Sequence, residues 1–432
     1  MSENETSPLR DRLSAVIRSR AAAQTDWLKT LASFESTRGN EAPCQDWLAD
    51  EFAARGWAVD KYRLGDVEMA GLPGFSPVAE TDYAEAIEVV AQPPAGIGGR
   101  SLILQGHIDV VPPGPREQWA HDPFAPEIHN GFMSGRGVSD MKAGVTEMVF
   151  ALDALAALGV APAGQVFVET VTEEECTGNG ALSTLARGYL ADACLIPEPV
   201  NGQLLRAQLG SVWFRVRVAG RSSHVLETQL GENAILATYD YIAALQKLAA
   251  ETSASAIGSP WFGHLPEVIK LSVGKIRGGD WIGMVPSWCE IDCRLGVLPG
   301  QDLAEIRQSI IKRVAATARD RNAAAPEVSW IGFQAEAYVL EPGSDAEAVL
   351  AAAHTAVTGE ALESFSQPAT SDVRQYGLYY GMPALCYGSK GQGLHSPTER
   401  ADLESMLETT TVIALFIAEW CGLVPANQAK GS

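Results

Sequence analysis

The sequence predicts an α/β protein in which a smaller α+β domain interrupts the main domain. Strand-like apolar runs alternate with helix-like segments in the first half of the chain and again near its C-terminus. That alternation is typical of a largely parallel sheet covered by helices on both faces. Near residue 210 the pattern changes to alternating apolar and polar residues, which is typical of half-buried strands.

The elements of the main domain follow from apolar periodicity and from the breaks between periodic segments. Helices are predicted over Leu9–Ala32, Ala42–Arg55 and Met141–Leu158, the last of which stops at a glycine. Strands are predicted at Ser101–Gln105, Gln165–Thr170, Ala193–Ile196 and Ala384–Tyr387.

The interrupting segment has the element order of a ferredoxin-like domain. The alternation from Val212 to Val218 predicts its first strand. The remaining elements are two helices, Glu232–Ala250 and Asp302–Arg319, and three strands, Val268–Val273, Cys289–Leu295 and Glu327–Ile331. Their order is strand–helix–strand–strand–helix–strand. We therefore predict a catalytic domain at residues 1–209 and 334–432, with an inserted domain at residues 210–333.

The composition argues against two classes of partner. Acidic residues outnumber basic ones by 53 to 32, so the chain lacks the basic surface that nucleic-acid binding needs. No run approaches the roughly 20 apolar residues of a membrane-spanning helix. The polar N-terminus has no apolar signal-peptide segment, and the seven scattered cysteines include no CxxC pair. We therefore expect a cytoplasmic protein that binds neither nucleic acid nor membrane.

Histidines and acids follow the predicted strands, where ligand sites of α/β sheets collect. His107 and Asp109 come directly after the first apolar strand, and residues two apart in an extended segment point the same way. Asp109 can therefore orient a ligating imidazole, although chance or a plain hydrogen bond explains this pair equally well. Asp140 precedes a helix in a glycine-containing turn, either as a helix cap or as a metal-bridging carboxylate.

Three further motifs have the same character. Three adjacent acids, Glu173 to Glu175, end the strand before them and form either a solvated loop or part of a metal cluster. Glu198 lies between two prolines in a turn, and His395 lies in a glycine-rich loop, where each can also be an ordinary surface residue. Five such motifs in this order favour a site for zinc or a similar divalent ion.

This set of motifs resembles the family of dinuclear zinc exopeptidases and deacylases that includes acetylornithine deacetylase, succinyl-diaminopimelate desuccinylase, aminoacylase and carboxypeptidase G. The resemblance extends from about Trp27 to the last helix. It implies a zinc-exopeptidase-like mixed sheet with flanking helices and an inserted ferredoxin-like lid and dimerisation domain. It also implies a homodimer and two divalent metal ions, which would be Zn²⁺, with Co²⁺ or Mn²⁺ as alternatives.

The resemblance implies a role for each residue of the set. The metal ligands would be His107, Asp140, Glu175, Glu198 and His395. Asp140 would bridge the two ions, Glu174 would be the general base, and Asp109 would orient the first histidine. The alignment rests on the Gly-Ala pair that follows, and a shift of one residue would move the roles to Glu173 and Glu174.

The resemblance also points to residues that would contact the substrate. His224 would stabilise the oxyanion, in many relatives from the partner subunit of a dimer, or it is a surface histidine. Asn233, in the same matching stretch, is a substrate-binding candidate. Arg294 and Arg374 offer the fork that binds a carboxylate, or they form internal salt bridges. Gly283 replaces an asparagine that helps to hold the substrate in some relatives.

The sequence therefore predicts a metal-dependent amidohydrolase that resembles acetylornithine deacetylase. It would remove an acyl group from a small N-acylated amine or amino acid by attack of a metal-activated water. Two alternatives keep the fold: a dipeptidase or carboxypeptidase, and a deformylase or carbamoylase of a heterocyclic amine. A third alternative is a non-catalytic binding protein on a decayed hydrolase fold, against which the intact ligand set and Glu174 argue.

Overall fold

The computed structural model describes residues 3–78 and 83–430. The predicted catalytic domain therefore has a few residues, 1–2, 79–82 and 431–432, that lie outside the described ranges. The helices are α1 (Glu3–Ser19), α2 (Ala21–Ala32), α3 (Ala42–Ala54), α4 (Ala143–Ala157), α5 (Asn179–Ala186), α6 (Ala234–Ala254), α7 (Leu303–Asp320), α8 (Asp345–Thr358) and α9 (Leu403–Cys421).

The strands form one central sheet, one antiparallel sheet and three smaller ones. They are β1 (Ala58–Arg63), β2 (Ile87–Gln92), β3 (Leu102–His107), β4 (Glu127–His129), β5 (Phe132–Ser134), β6 (Val160–Pro162), β7 (Val166–Val171), β8 (Cys194–Ile196), β9 (Leu204–Gln208), β10 (Gly210–Ala219), β11 (Leu271–Gly278), β12 (Trp288–Val297), β13 (Glu327–Ala335), β14 (Tyr338–Val339), β15 (Ser364–Gln367), β16 (Ala384–Cys386), β17 (Gly391–Gln392), β18 (Arg400–Asp402) and β19 (Leu423–Pro425).

The central sheet is mixed, as the predicted fold class requires. Its strand order is β1-β2-β7-β3-β8-β16. The four strands from β7 to β16 are parallel, whereas β1 and β2 pair antiparallel at one edge. The strands β3 and β8 are buried along their whole length, because helices cover both faces of the sheet. One hydrophobic core joins the sheet to α4, α8 and α9.

The predicted helices are present, with one difference at the N-terminus. The pattern over Leu9–Ala32 predicts a single helix, but α1 ends at Ser19 and α2 begins at Ala21. Arg20 lies outside helical geometry, with φ −106° and ψ 8°. The break lets α1 pack on α9 while α2 lies against the start of α4, which apolar periodicity along one helix does not predict.

The antiparallel sheet confirms the predicted ferredoxin-like topology. Its strand order is β11-β12-β10-β13, and α6 and α7 pack on it around a separate hydrophobic core. The predicted strand over Val268–Val273 is displaced, since β11 begins only at Leu271. The backbone amides of Val268 and Ile269 instead donate hydrogen bonds to the hydroxyl of Ser253 on α6, at 2.9 and 3.2 Å.

We propose that this sheet and its helices form a domain of their own, called the inserted domain below, which corresponds to the predicted residues 210–333 and extends to Ala335 at the end of β13. Two connections join it to the rest of the chain, from β9 into β10 and from β13 into β14. Its core is distinct from the core of the central sheet, which supports the division. Among the described residues, no helix is both long and apolar enough to cross a membrane.

Candidate metal centre

The predicted ligands gather at one edge of the central sheet. His107 is the last residue of β3, and Glu174 and Glu175 follow β7. Glu198 follows β8, which pairs with β3 on the side opposite β7. Because these three strands are parallel neighbours, their carboxyl ends bring the side chains together.

Asp140 lies between the two histidines of the predicted set. Its Oδ1 is 3.3 Å from Nε2 of His107, and its Oδ2 is 3.2 Å from Nε2 of His395. Asp140 belongs to a turn, Val138–Lys142, that precedes α4, and its own φ and ψ of −110° and 98° are not helical. The helix-cap interpretation of Asp140 is therefore wrong, because both of its carboxylate oxygens face imidazoles.

Three overlapping groups of side chains could each hold a cation. In each group the candidate ligand atoms lie within 4.8 Å of one another. The groups are His107 with Asp140 and Glu198, Asp140 with Glu175 and His395, and His107 with Glu174 and Glu175. The first two groups share only Asp140, which is the arrangement expected of a carboxylate between two ions.

The acids of the centre are buried, which contradicts the solvated-loop and surface-turn alternatives. Glu174 is 6% exposed and Glu198 is 7% exposed. Burial raises the pKa of Glu174 well above its ordinary value and the pKa of Glu198 to about 8. Since buried carboxylates are costly without a compensating charge, this set of oxygen and imidazole donors fits divalent cations of the zinc type.

Hydrogen bonds between the ligands shift the pKa values of the histidine and aspartate groups in opposite directions. Bonds to Asp140 and Glu175 raise the pKa of His395 to about 11. Burial opposes ionisation of Asp140, but hydrogen bonds from His107 and His395 hold its pKa below the ordinary value. The imidazolium of His395 therefore neutralises part of the cluster when no cation is bound.

Zinc binding to the metal-free protein should release protons at neutral pH. The raised pKa of His395 means that its ion pairs stabilise the metal-free fold below pH 6.5, and this contribution is lost as the pH rises towards about 11. Ligation needs the neutral imidazole, so the apparent affinity for Zn²⁺ should increase with pH. Calorimetry in buffers of different ionisation enthalpy measures the released protons, and equal heats in all buffers would contradict this prediction.

Asp109 connects the first histidine to the loop that carries the acids. Its backbone carbonyl lies 2.8 Å from Nδ1 of His107, while its carboxylate oxygens accept the backbone amides of Glu174 and Glu175 at 3.3 and 3.2 Å. The nearer carboxylate oxygen is 3.5 Å from Nδ1. Asp109 can therefore orient both the imidazole and the acidic loop, as acids that hydrogen-bond to metal ligands commonly do.

The first of the three adjacent acids is not part of the centre. Both carboxylate oxygens of Glu173 accept hydrogen bonds from Arg38, at 2.5 and 2.8 Å. Tyr83 and Thr177 also donate to Glu173, and its φ of 66° turns the backbone in the left-handed region. This pairing favours the register with Glu174 and Glu175 at the cluster over the register shifted by one residue.

Two residues that the sequence reasoning missed contact the Asp140 turn. Glu399 accepts the backbone amides of Ser139 and Asp140, each at 3.2 Å, and it pairs with the guanidinium of Arg136. Both side chains are almost fully buried. Glu399 follows His395 by four residues, and this proximity was the only indication of its role in the sequence. Its partner Arg136 lies 263 residues away along the chain.

The predicted substrate-contacting residues of the inserted domain belong to none of the candidate ligand groups found among the described residues. His224 is exposed, and its Nδ1 accepts the backbone amide of Leu226 at 3.2 Å. Asn233 caps α6, because its side-chain oxygen accepts the amide of Leu236. Gly283 belongs to the segment beside His224, which bridges to Met284.

The two arginine candidates have different surroundings. Arg374 is fully buried and donates from Nη2 to the carbonyl oxygen of Thr177 at 2.8 Å, so it supports the acidic loop from inside. Arg294 is half-buried, and its side chain has no hydrogen-bond or ion-pair partner in the described ranges. Uncompensated burial lowers the pKa of Arg294, which lines a cavity of about 400 Å³ with Lys270 and Pro368.

Comparison with known proteins places this geometry among hydrolases. The chain is 25% identical over 421 residues to the N-formyl-4-amino-5-aminomethyl-2-methylpyrimidine deformylase of Bacillus subtilis (strain 168), covering 91% of this chain and 93% of that protein. It is 28% identical over 393 residues to the succinyl-diaminopimelate desuccinylase of Methylocella silvestris, covering 87% and 92%. The di-peptidase Dug1p from Saccharomyces cerevisiae shares the fold, with a TM-score of 0.81 at 15% identity over 95% of this chain and 98% of that chain.

The fold and the donor set together define a metallo-hydrolase that acts on C–N bonds. The model of peptidase family M20/M25/M40 matches residues 103–419, a span that contains every candidate ligand. The chain belongs to this family, so the resemblance drawn from the sequence motifs is confirmed.

Proposed function

We propose that this protein is an amidohydrolase that removes an acyl group, such as acetyl, from a small N-acylated amine or amino acid. One observation carries the proposal: Asp140 joins two groups of candidate ligands, while Glu174 lies in the same buried cluster. Two cations and one carboxylate in this arrangement suit the hydrolysis of an amide by water.

The proposed ligand sets follow the observed groups. His107 and Glu198 would hold one ion, Glu175 and His395 would hold the other, and Asp140 would bridge them. We propose Zn²⁺, since imidazole and carboxylate donors suit it, with Co²⁺ or Mn²⁺ as alternatives. Ions bound there would supply the Lewis acidity that lowers the pKa of water from about 16 towards 7.

The chain supplies the proton transfers. Glu174 would accept a proton from the attacking water and later donate it to the leaving amine. His224 would donate a hydrogen bond to the developing oxyanion from Nε2, since its Nδ1 is already an acceptor for Leu226.

We propose that His224 acts in a homodimer. The inserted domain exposes several large apolar side chains, of which Val225 and Leu226 directly follow His224, and the edge strand β11 is largely open to solvent. The apolar side chains are Val225, Leu226, Leu230, Leu236, Tyr239, Trp281, Ile282 and Met284. A second copy of the chain would cover them, and a fully active monomer in analytical ultracentrifugation would rule this out.

Arg294 supports a substrate that carries a carboxylate. Its guanidinium has no acidic partner among the described residues, although it is half-buried beside a cavity. On the antiparallel sheet Arg294 pairs across from Trp213, whose ring lies against Gly332. Gly332 in turn lies close to the carbonyl oxygen of Cys176, the residue after the acidic loop, so this part of the inserted domain lies near the candidate centre.

A deformylase of a heterocyclic amine is the second candidate. The Bacillus subtilis relative that spans nearly the whole chain bears a deformylase name. Gly283 also replaces the asparagine that the resemblance associates with substrate binding, and its neighbours Trp281 and Ile282 offer exposed apolar surface instead. A dipeptidase is the third possibility on this fold, in line with the fold of the yeast enzyme.

A substrate panel tests these candidates with one matched variant. The Zn²⁺-loaded protein is assayed against N-acetyl, N-succinyl and N-formyl amino acids, an N-formyl aminomethylpyrimidine and dipeptides. We expect the highest kcat/KM for an N-acyl amino acid, and we expect Arg294→Met to raise KM for it with little change in kcat. A preference for the uncharged pyrimidine, unaffected by Arg294→Met, would favour the deformylase.

A further inference from the structure

We propose that Glu399, together with Arg136, is a positioning residue that holds Asp140 and His395 in the geometry of one metal site. The inference rests on the proposed function, because it concerns the group formed by Asp140, Glu175 and His395. Neither Glu399 nor Arg136 belongs to any candidate ligand group, so their role would be exerted through the ligands.

Glu399 holds the backbone of the Asp140 turn directly. One of its carboxylate oxygens, Oε1, accepts the amides of both Ser139 and Asp140 at 3.2 Å. Hydrogen bonds to an ionised acceptor are stronger than neutral ones. The backbone amide of Asp140 is therefore held by Glu399, while its carboxylate oxygens lie 3.3 and 3.2 Å from Nε2 of His107 and His395.

The same residue fixes the end of the His395 loop, directly before β18. The backbone amide of Gly135 donates to the carbonyl oxygen of Glu399 at 3.3 Å, next to the antiparallel pairing of Arg400 with Ser134. The strands β5 and β18 pair with each other. The segment after β5 leads to Asp140, and the loop before β18 contains His395. Nε2 of His395 lies 3.2 Å from Oδ2 of Asp140. Glu399 connects the two segments, because it accepts the backbone amides of Gly135 and Asp140.

Arg136 compensates the negative charge of the buried Glu399 carboxylate, which lies beside the acidic cluster. Its Nη1 donates to Oε2 of Glu399, and the two side chains are 2% and 0% exposed. The guanidinium also lies over the ring of Trp119, 5.2 Å from its centroid. The pair is neutral overall, so Glu399 adds hydrogen-bond acceptors beside Asp140 without adding net negative charge to the centre.

The test is the variant Glu399→Gln, which is nearly isosteric. Its amide cannot accept the two backbone amides and also accept from Arg136, because one of its two terminal atoms is a donor. The matched control is Glu347→Gln, since Glu347 pairs with Arg206 in a mostly buried ion pair that touches no candidate ligand. Zn²⁺ is titrated into each metal-free protein by calorimetry, alongside thermal unfolding.

We expect two binding steps in the parent protein and a loss of one of them in His395→Ala. In Glu399→Gln that same step should weaken by about 10- to 100-fold, while the other step changes less. The control should lower the unfolding temperature without selectively weakening either step. Arg136→Lys keeps the charge but loses the planar guanidinium that pairs with Glu399 and lies over Trp119, so it should weaken the same step to a smaller extent.

The possible results separate the inference from the proposed function. A parent protein that takes up no Zn²⁺ would overturn both. Two normal binding steps in Glu399→Gln, or equal weakening in Glu399→Gln and the control, would overturn only the positioning role. If Glu399→Gln does not fold, Arg136→Lys decides, and unchanged Zn²⁺ affinity in that variant would overturn the role.

Discussion

Replacing Glu174 with glutamine should lower kcat by about 10²- to 10⁴-fold, the range typical of general acid–base catalysis. Glutamine keeps the size of the side chain but cannot take a proton from water. The number of metal ions bound per chain should stay near that of the parent protein, because the two ligand groups that share Asp140 do not include Glu174. Metal content by mass spectrometry and kcat on the preferred substrate of the panel measure the two effects.

The neighbouring variant Glu173→Gln is the matched control for this prediction. It changes an adjacent acid in the same loop, whose carboxylate pairs with Arg38. It should lower the unfolding temperature through that pair and reduce kcat far less than Glu174→Gln. Full activity of Glu174→Gln, or the larger loss in Glu173→Gln, would refute Glu174 as the base and restore the shifted register.

Replacing Asp140 with alanine should weaken the binding of both ions, whereas replacing His395 should remove only one. Asp140 belongs to two of the three candidate groups, and these two would each hold one ion, whereas His395 belongs to a single group. The loss for Asp140→Ala should exceed the 10- to 100-fold typical of changes outside the ligand set, and turnover should disappear with it. Dialysis followed by metal analysis gives the number of ions retained per chain.

Asp122→Ala provides the control for this pair of variants. Asp122 is an exposed acid that pairs with Arg116 at the surface. It should retain the metal content and activity of the parent protein. Equal metal loss in Asp140→Ala and His395→Ala would show that Asp140 does not serve two ions.

The motifs at the strand ends allowed the site to be predicted, because neighbouring parallel strands bring their carboxyl ends to the same edge of the sheet. His107 and Glu198 follow neighbouring parallel strands, so the order of the motifs along the chain translates into proximity in space. The register of the three acids needed the structure, since it is the pairing of Glu173 with the distant Arg38 that separates it from Glu174, which lies in a candidate ligand group. That contact joins residues 135 apart in the sequence.

The sequence did not reveal features that depend on distant partners. The pairing of Glu399 with Arg136 lacks a local pattern, and a buried Arg374 looks the same in sequence as an exposed one. The break at Arg20 follows from packing of α1 and α2 on different helices, and β11 starts late because Ser253 takes the amides that precede it. Apolar periodicity describes one element at a time and contains none of these contacts.

The position of α9 in the fold has a consequence for biosynthesis. Nearly every residue of this helix is buried against α1, α4 and α8, although it is made after the inserted domain and after His395. The hydrophobic core of the central sheet therefore cannot close on the ribosome until residue 421 has been synthesised, whereas the inserted domain has its complete set of strands by residue 335. The nascent chain thus carries a complete inserted domain beside a first half with an open core, and its cluster of acids lacks its second histidine until His395 has been made.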